Sequence, residues 1–185
     1  MESHALDLFQ NLNDNNDNIW FVYVGTKVNE DWQYQPAARN SVMKNEKNCP
    51  FCKIVKHEVY AVVVCEDDEI LAIMDLYPAT HGHILVLPKQ HIENIYSLRE
   101  DLLSRIMVTA SKIAKAIKQQ LSPDGLNLIQ SNETVAGQTI PHFHLHIVPR
   151  YSDDSVLLKF GHGSAPAKVD ELERVAFLVK SALTI

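Results

Sequence analysis

Apolar residues at positions 98, 102, 106, 110, 113, 117 and 121 recur at spacings of three and four. That is the period of an amphipathic helix of about six turns, and Pro123 and Gly125 lie just beyond its end. A second helical period runs over residues 168–183, and residues 51–57 allow one or two helical turns. Short β-branched and apolar runs at 59–65 and 70–74 flank the acidic turn Glu66-Asp67-Asp68-Glu69, which is a hairpin signal. Further strands are predicted at 83–88, 125–130 and 140–148. Upstream, Leu6, Leu8, Phe9 and Leu12 suggest a short helix, an Asn/Asp-rich loop follows, residues 19–24 read as a strand, and 25–48 look irregular. Strands, a long helix and more strands predict an α+β fold. Its largely antiparallel sheet has five strands or more, joined by the long amphipathic helix and a C-terminal helix. The expected division is an extension over 1–48 packed on the main domain, a main domain over 49–151, and a tail and helix over 152–185. The stripe of the long helix is core by default, and Cys65, inside a predicted strand, is expected in the core.

Within the last predicted strand, His142, His144 and His146 occupy alternate positions of an apolar run. A strand sends alternate side chains to opposite faces, so the three imidazoles share one face. Phe143, Leu145, Ile147 and Val148 are left for a core. A core has little use for three such rings, because each buried imidazole must satisfy two nitrogens. The pattern therefore predicts the wall of a polar pocket. Same-face neighbours on a strand are about 7 Å apart, so His142 and His146 lie about 14 Å apart and cannot share one ion. The rings must divide their tasks. His144, in the middle, is the candidate nucleophile, since imidazole with its ordinary pKa of about 6.5 is mostly neutral at pH 7.

Composition narrows the partners. A chain of 185 residues with 46% hydrophobic content suits one domain with an ample core. Its formal charge of −6 and pI near 5.8, with no basic block, argue against nucleic acid as partner. No signal-peptide pattern and no membrane-length apolar run are present, so no membrane association is expected. Three cysteines leave one unpaired in any disulfide scheme, which argues for a reducing cytoplasm. There Cys49-Pro50-Phe51-Cys52 has three readings: a redox pair, half of a zinc set, or two inert buried thiols. Redox use requires a parallel βαβ context before the motif, and residues 25–48 offer no convincing strand for one.

Residues 137–148, Gly-Gln-Thr-Ile-Pro-His-Phe-His-Leu-His-Ile-Val, resemble the signature of the histidine-triad (HIT) family of nucleotide hydrolases and transferases. Cys49–Val55, Met74-Asp75-Leu76, His83–Lys89 and Gly125–Leu128 match further family segments in order and spacing, so the resemblance covers about residues 49–151. It implies that His144 attacks phosphorus, forming a nucleotidyl-histidine that water or another acceptor then cleaves. It also implies that His146 gives a proton or hydrogen bond at the phosphates, with His83 supporting the triad from the neighbouring strand. Gln138 and Thr139 would hold phosphate and leaving-group oxygens, and Gly137 would let the backbone approach them. Asp75 would bind ribose hydroxyls, and Phe51, Ile54, Ile73 and Leu76 would line an apolar base pocket. Where relatives carry a polar contact seven residues before the motif glutamine, this chain has Ser131 with Asn132 beside it. Asn132 is favoured for that contact, and two plain turn residues remain the alternative.

The resemblance further implies a closed zinc site of Cys49, Cys52, His91 and His142, which would order the fold and not activate water. No catalytic metal is expected. The implied function is cleavage of an α-phosphate linkage in a purine dinucleoside polyphosphate such as diadenosine tetraphosphate, by a homodimer. Pro149-Arg150 after the triad tilts toward that branch and away from the nucleoside phosphoramidase branch. Two other classes stay open: a metal-dependent hydrolase with His142 and His144 as catalytic ligands, and a nucleotide-sensing module without turnover.

Overall fold

The computed structural model describes residues 23–28, 31–36, 46–158 and 167–183. The chain divides into two units, Met1–Asp154 and Ser155–Ile185. In the first, five strands form one sheet in the order β3-β4-β5-β7-β6. They are β3 (Val63–Glu66), β4 (Ile70–Met74), β5 (Ile84–Pro88), β6 (Gly125–Ile129) and β7 (Leu145–Arg150). Every neighbouring pair is antiparallel. Among the described residues the α-helices of this unit are α1 (Pro50–Val55) and α2 (Glu100–Leu121). The α+β class, the five-stranded antiparallel sheet and the long amphipathic helix therefore stand as read from the sequence. The second unit contributes α3 (Val169–Ala182), the expected C-terminal helix.

Period-two alternation gives the sheet two dry faces. Ile70, Ala72, Ile84, Val86, Leu145 and Ile147 pack with Leu102, Ile106, Ala110, Ile113 and Ile117 of α2. Burying each such aliphatic side chain stabilises the fold by roughly 1.5–3 kcal/mol. Leu71, Ile73, Leu85 and Leu87 face the other way and pack with Cys49, Phe51 and Cys52 around α1. Glu100 and Asp101 open α2, where carboxylates complement the helix dipole, and Ser122 closes it in the left-handed region at φ 50°. Between β4 and β5 the Asp75 amide donates to the His83 carbonyl at 3.0 Å, closing the loop 75–83. That loop turns through Gly82 at φ +85°, where a Cβ would also press on the Leu121 side chain.

Three local readings are corrected. Residues 25–48 are not all irregular: β1 (Tyr23–Val28) and β2 (Asp31–Pro36) pair as an antiparallel hairpin, and Glu46–Asn48 make a 3-10 turn. Pro36 ends β2 opposite Tyr23, a position where its missing N–H is tolerated. The expected strand at 19–24 lies mostly outside the described residues, as does the expected helix near residues 6–12. The last strand starts at Leu145 and not at Ile140, because Pro141 has no N–H to give, the His142 amide turns back to the Ile140 carbonyl and the Phe143 amide goes to Ile92. Cys65 is exposed, since β3 is an edge strand with an irregular register between Val63 and Cys65.

Candidate functional site

Although the strand begins late, side-chain alternation runs on through residues 142–147. Phe143, Leu145 and Ile147 enter the core against α2, and the three histidines take the opposite face beside α1. The Phe51 ring lies edge-on to both, with centroids 5.6 Å from His142 and 5.1 Å from His144. His144 and His146 are 4.9 Å apart by the same measure. His83, Gln138, His142 and His144 are the buried polar residues of this region.

A neutral imidazole carries one N–H and one lone pair, and the partner of one nitrogen dictates what the other presents. His144 Nδ1 lies 2.7 Å from the His142 carbonyl, which can only accept. Nδ1 therefore carries the proton, and Nε2 is left with its lone pair. At His83 the order is reversed: the Ala79 amide donates to Nδ1 at 3.1 Å, so Nε2 carries the proton. That Nε2–H donates to His146 Nδ1 at 2.9 Å, and His146 is left with its proton on Nε2. His142 donates from Nε2 to the Pro88 carbonyl at 2.8 Å, so its Nδ1 lone pair faces Cys49 at 3.4 Å and Cys52 at 3.6 Å. Backbone groups thus make His144 an acceptor and His142 a ligand, and through the His83 ring they make His146 a donor.

Burial holds all four rings in that neutral form. Desolvation lowers the pKa of His144, takes His142 and His83 down to about 4 and His146 to about 3; the neighbouring imidazoles reinforce the effect at His83, His142 and His146. Burial moves Asp75 in the opposite direction, up to about 6. Its Oδ1 accepts from the Tyr77 amide at 2.9 Å, and its Oδ2 lies 3.4 Å from His83 Nδ1. The approach of Asp75 to His83 was not legible in the sequence beyond their place at the two ends of one loop. Nor were the Pro88 carbonyl and the Ala79 amide, because backbone partners carry no side-chain signal.

The ligating atoms of Cys49, Cys52, His91 and His142 all lie within 4.8 Å of one another. Cys52 Sγ is 3.3 Å from His91 Nδ1. A tetrahedral zinc with ordinary bond lengths separates sulfur from nitrogen by about 3.5 Å, so the sulfur–nitrogen distances of 3.3–3.6 Å suit such a centre. His91 Nε2 is buried without a hydrogen-bond partner among the described residues. Burial raises both thiols, Cys52 to about 12, so without a cation they remain protonated; a bound cation reverses that preference. The four residues thus fit a closed metal site. They do not suit a disulfide exchanger, because every strand pairing among the described residues is antiparallel and supplies no parallel βαβ unit. His142 and His144 also do not aim at one ion, since His142 turns its lone pair to the thiols and His144 turns Nδ1 to a carbonyl.

The remaining expected site residues divide into two groups. Gln138 is buried, but its carboxamide accepts from the Glu133 amide at 2.7 Å and donates to the Glu93 carbonyl at 2.6 Å. In this arrangement it braces the loop, and both ends of the amide are spent. Thr139 and Gly137 are exposed beside it, Gly137 at φ +91°. Asn132 accepts from the Ile95 amide at 2.9 Å and exchanges hydrogen bonds with Gln130. Phe51 and Ile73 are buried together, with Ile54 packed against them, whereas Leu76 is 57% exposed at the rim. A cavity of about 450 Å³ opens beside α1; Ile54 lines it together with Val59, Tyr60 and Leu71, but Phe51, Ile73 and Leu76 do not.

Comparison with known proteins points to one family. The family model described as "HIT domain" matches residues 56–153. "Protein hit" of Bacillus subtilis is 43% identical over 105 residues, covering 57% of this chain and 72% of that protein. The fission yeast Schizosaccharomyces pombe protein named adenosine 5'-monophosphoramidase hnt1 is 32% identical over 136 residues, covering 74% of this chain and 98% of its own. A crystal structure described as a zinc-bound histidine triad family protein from Mycobacterium smegmatis superposes with a TM-score of 0.58 at 31% identity, covering 75% of this chain and all of that one.

The neutral rings predict how stability responds to acid. Below pH 6.5 the unfolded chain takes up protons at His83 and His146 that the folded chain refuses until about pH 4 and pH 3. Their stabilising contribution is complete above pH 6.5 and is lost as pH falls through those lower values. Asp75 acts in the opposite sense: its contribution is complete below the ordinary 3.8 and lost as pH rises through about 6. The two rings outnumber it. Urea midpoints at pH 7.5 and 4.5 should show a drop in the parent and a smaller drop in His146→Asn. An equal drop in both would remove His146 from the account.

Proposed function

This chain belongs to the histidine-triad (HIT) family, and we propose that it cleaves an α-phosphate linkage of a dinucleoside polyphosphate through a nucleotidyl-histidine at His144. The observation that carries this reading is the bare Nε2 of a buried, neutral His144 beside the N–H of His146. Attack by His144 forms a nitrogen–phosphorus bond as the bond to the leaving oxygen breaks, the leaving phosphate departs as an anion, and His146 Nε2–H donates a hydrogen bond to that oxygen as its charge develops. The cationic ring that results keeps its Nδ1–H on the His142 carbonyl, which stabilises the developing charge. Water then attacks phosphorus, the nitrogen–phosphorus electron pair returns to His144 Nε2, and a nucleoside monophosphate is released as one water proton passes to solvent.

The binding roles belong to the same proposal. Asp75 accepts from ribose hydroxyls; the exposed Thr139 hydroxyl and the Gly137 backbone meet the phosphates; Phe51, Ile54, Ile73 and Leu76 flank the base. Gln138 and Asn132 shape the phosphate loop by the bonds already described. A nucleoside phosphoramidate is the second reading, supported by the name of the Schizosaccharomyces pombe relative. Both substrates place the scissile bond at the same phosphorus and differ in the leaving atom.

Zinc is proposed as a structural ion on Cys49, Cys52, His91 and His142, supported by the sulfur–nitrogen spacing. When bound it holds α1 against the segment that carries the triad. A homodimer is proposed too. The β3 edge exposes Val62, Val63 and Val64, and α2 exposes Met107 and Val108, apolar surface that a second copy would cover. Nucleic acid and membrane are not proposed partners, and no described helix is long and apolar enough to cross a bilayer. Free thiols suit a reducing compartment, which supports the cytoplasm as its location.

Three measurements test these readings. His144→Ala should keep the fold and bind nucleotide while losing turnover of diadenosine tetraphosphate and adenosine 5'-phosphoramidate by at least ~10³-fold, or about 4 kcal/mol of transition-state stabilisation. A folded mutant that retains parental rates would exclude His144 as nucleophile. Elemental analysis of protein purified without chelator should find about one zinc per chain, and Cys49→Ser should melt earlier. Metal-free parent protein with an unchanged melting point in Cys49→Ser would return the cysteines to inert thiols. Sedimentation at micromolar concentration should give twice the 20.9 kDa chain mass, and a value near 20.9 kDa would refute the dimer.

A further inference from the structure

The cavity beside α1 lies in line with the wall assigned to the base. Paired residues on neighbouring strands share one face of a sheet, and the registers set His146, Leu85, Ile73 and Val63 in a single row across β7, β5, β4 and β3. Three strand intervals of about 4.8 Å place the ends of that row about 14 Å apart. The triad holds one end, Leu85 and Ile73 of the apolar cluster form the middle, and Val63 at the other end lines the cavity. Leu71, two residues from Ile73 on the same face of β4, lines it too. Asp75 lies two residues from Ile73 in the opposite direction. Ile54 completes the join, since it borders the cavity and packs against the cluster that contains Phe51 and Ile73. We propose that this cavity extends the base site, and that the protein takes purine nucleotides bearing an apolar substituent on the edge of the base remote from the ribose. This rests on the nucleotide reading above and narrows its substrate class.

Placement follows from the connectivity of a nucleotide. With the α-phosphorus at His144 and the ribose at Asp75, the base lies against Ile73. The sugar is joined to the five-membered ring of a purine, so the exocyclic nitrogen of adenine sits on the far ring. A group attached there reaches toward Val63 and Leu71. The space is about 450 Å³, within the roughly 300–1,000 Å³ of small-molecule sites, and of the residues that flank the base only Ile54 lines it. An unsubstituted base therefore leaves it open. Val55, Val59 and Ala61 add to a largely apolar lining. Each methylene buried from water there adds about fourfold in affinity. The acidic lining residues are Glu58 and Glu66, and Glu66 already holds Lys89 at 2.6 Å, so an anionic occupant such as a second nucleotide is disfavoured.

The substituent touches nothing that reacts. It lies at the opposite end of the row from the triad, so it contributes equally to the bound substrate and to the transition state. Binding of that kind lowers KM and leaves kcat unchanged.

Steady-state kinetics on the full chain read this split. The substrates are adenosine 5'-phosphoramidate and its analogue with a benzyl group on the exocyclic nitrogen of adenine. In the parent, KM for the benzyl compound should be lower by about 10-fold, with kcat within about twofold. Ala61→Phe fills the cavity from a half-buried position against the cluster. It should bring KM for the benzyl compound back to that of the unsubstituted one, whose own constants stay as in the parent. Val63→Phe fills it from the exposed edge strand and should do the same, so the test survives if one of the two variants does not fold. Equal KM for the two compounds in the parent, or a benzyl advantage that persists in a folded filling variant, overturns the proposal. The nucleophile reading is untouched by either result, because it is judged on the unsubstituted compound.

A second readout needs no turnover and no variant. Carbon-13 methyl NMR of the parent is followed on adding AMP or its benzyl analogue. The benzyl ring should shift the methyl signals of Ala61, Val63 and Leu71, and AMP should not. Shifts confined to Leu76 at the rim, or the same shifts with both ligands, overturn the proposal. A parent that cleaves neither phosphoramidate nor diadenosine tetraphosphate refutes the function reading, and the methyl shifts still decide whether the cavity takes the substituent.

Discussion

His83, His142, His144 and His146 each have one nitrogen committed before any ligand arrives, and everything at the site follows from that commitment. The partners are main-chain groups for three of the four rings: the His142 carbonyl for His144, the Pro88 carbonyl for His142 and the Ala79 amide for His83. A side-chain partner can rotate away, whereas a carbonyl or amide held in a packed loop cannot. Three identical side chains at alternate positions thereby acquire three different faces. Low dielectric surroundings strengthen the effect, since each ring is too buried to change its charge near neutral pH.

Packing holds those backbone partners in place. The apolar neighbours of the histidines, Phe143, Leu145 and Ile147, are anchored among Leu102, Ile106 and Ile113 of α2. On the other face Phe51 abuts His142 and His144, and Cys49 and Cys52 close behind His142. The core against α2 and the thiol cluster around α1 thus hold one short segment from opposite sides. Loosening either would let the rings rotate and exchange tautomers, even if no residue that touches a substrate had changed.

Much of this was legible in the sequence, for reasons particular to each element. The stripe on α2 is unbroken over six turns, so its period could not be mistaken, and β4 and β5 are solid apolar runs buried on both faces. The triad announced itself because alternation and imidazole chemistry coincide there. Cys49, Cys52, His91 and His142 came together as a set because the family resemblance supplied the pairing, which spacing alone could not. The β1–β2 hairpin was missed, since its strands, Tyr-Val-Gly-Thr-Lys-Val and Asp-Trp-Gln-Tyr-Gln-Pro, carry polar residues and no clear alternation. The late start of β7 was missed because hydrogen bonds diverted to Ile140 and Ile92 leave no trace in the pattern of side chains. The spent amide of Gln138 is invisible for the same reason: its partners are the backbone of Glu133 and Glu93.

The central claim is that the backbone fixes which nitrogen of each ring carries the proton. Long-range proton–nitrogen correlation NMR of the histidine rings, on nitrogen-15-labelled protein at pH 7 without ligand, reads this directly. The account predicts a protonated Nδ1 and a bare Nε2 at His144, the opposite arrangement at His83 and His146, and neutral rings at all three. A His144 ring protonated on Nε2, or two tautomers of His144 in exchange, would contradict it.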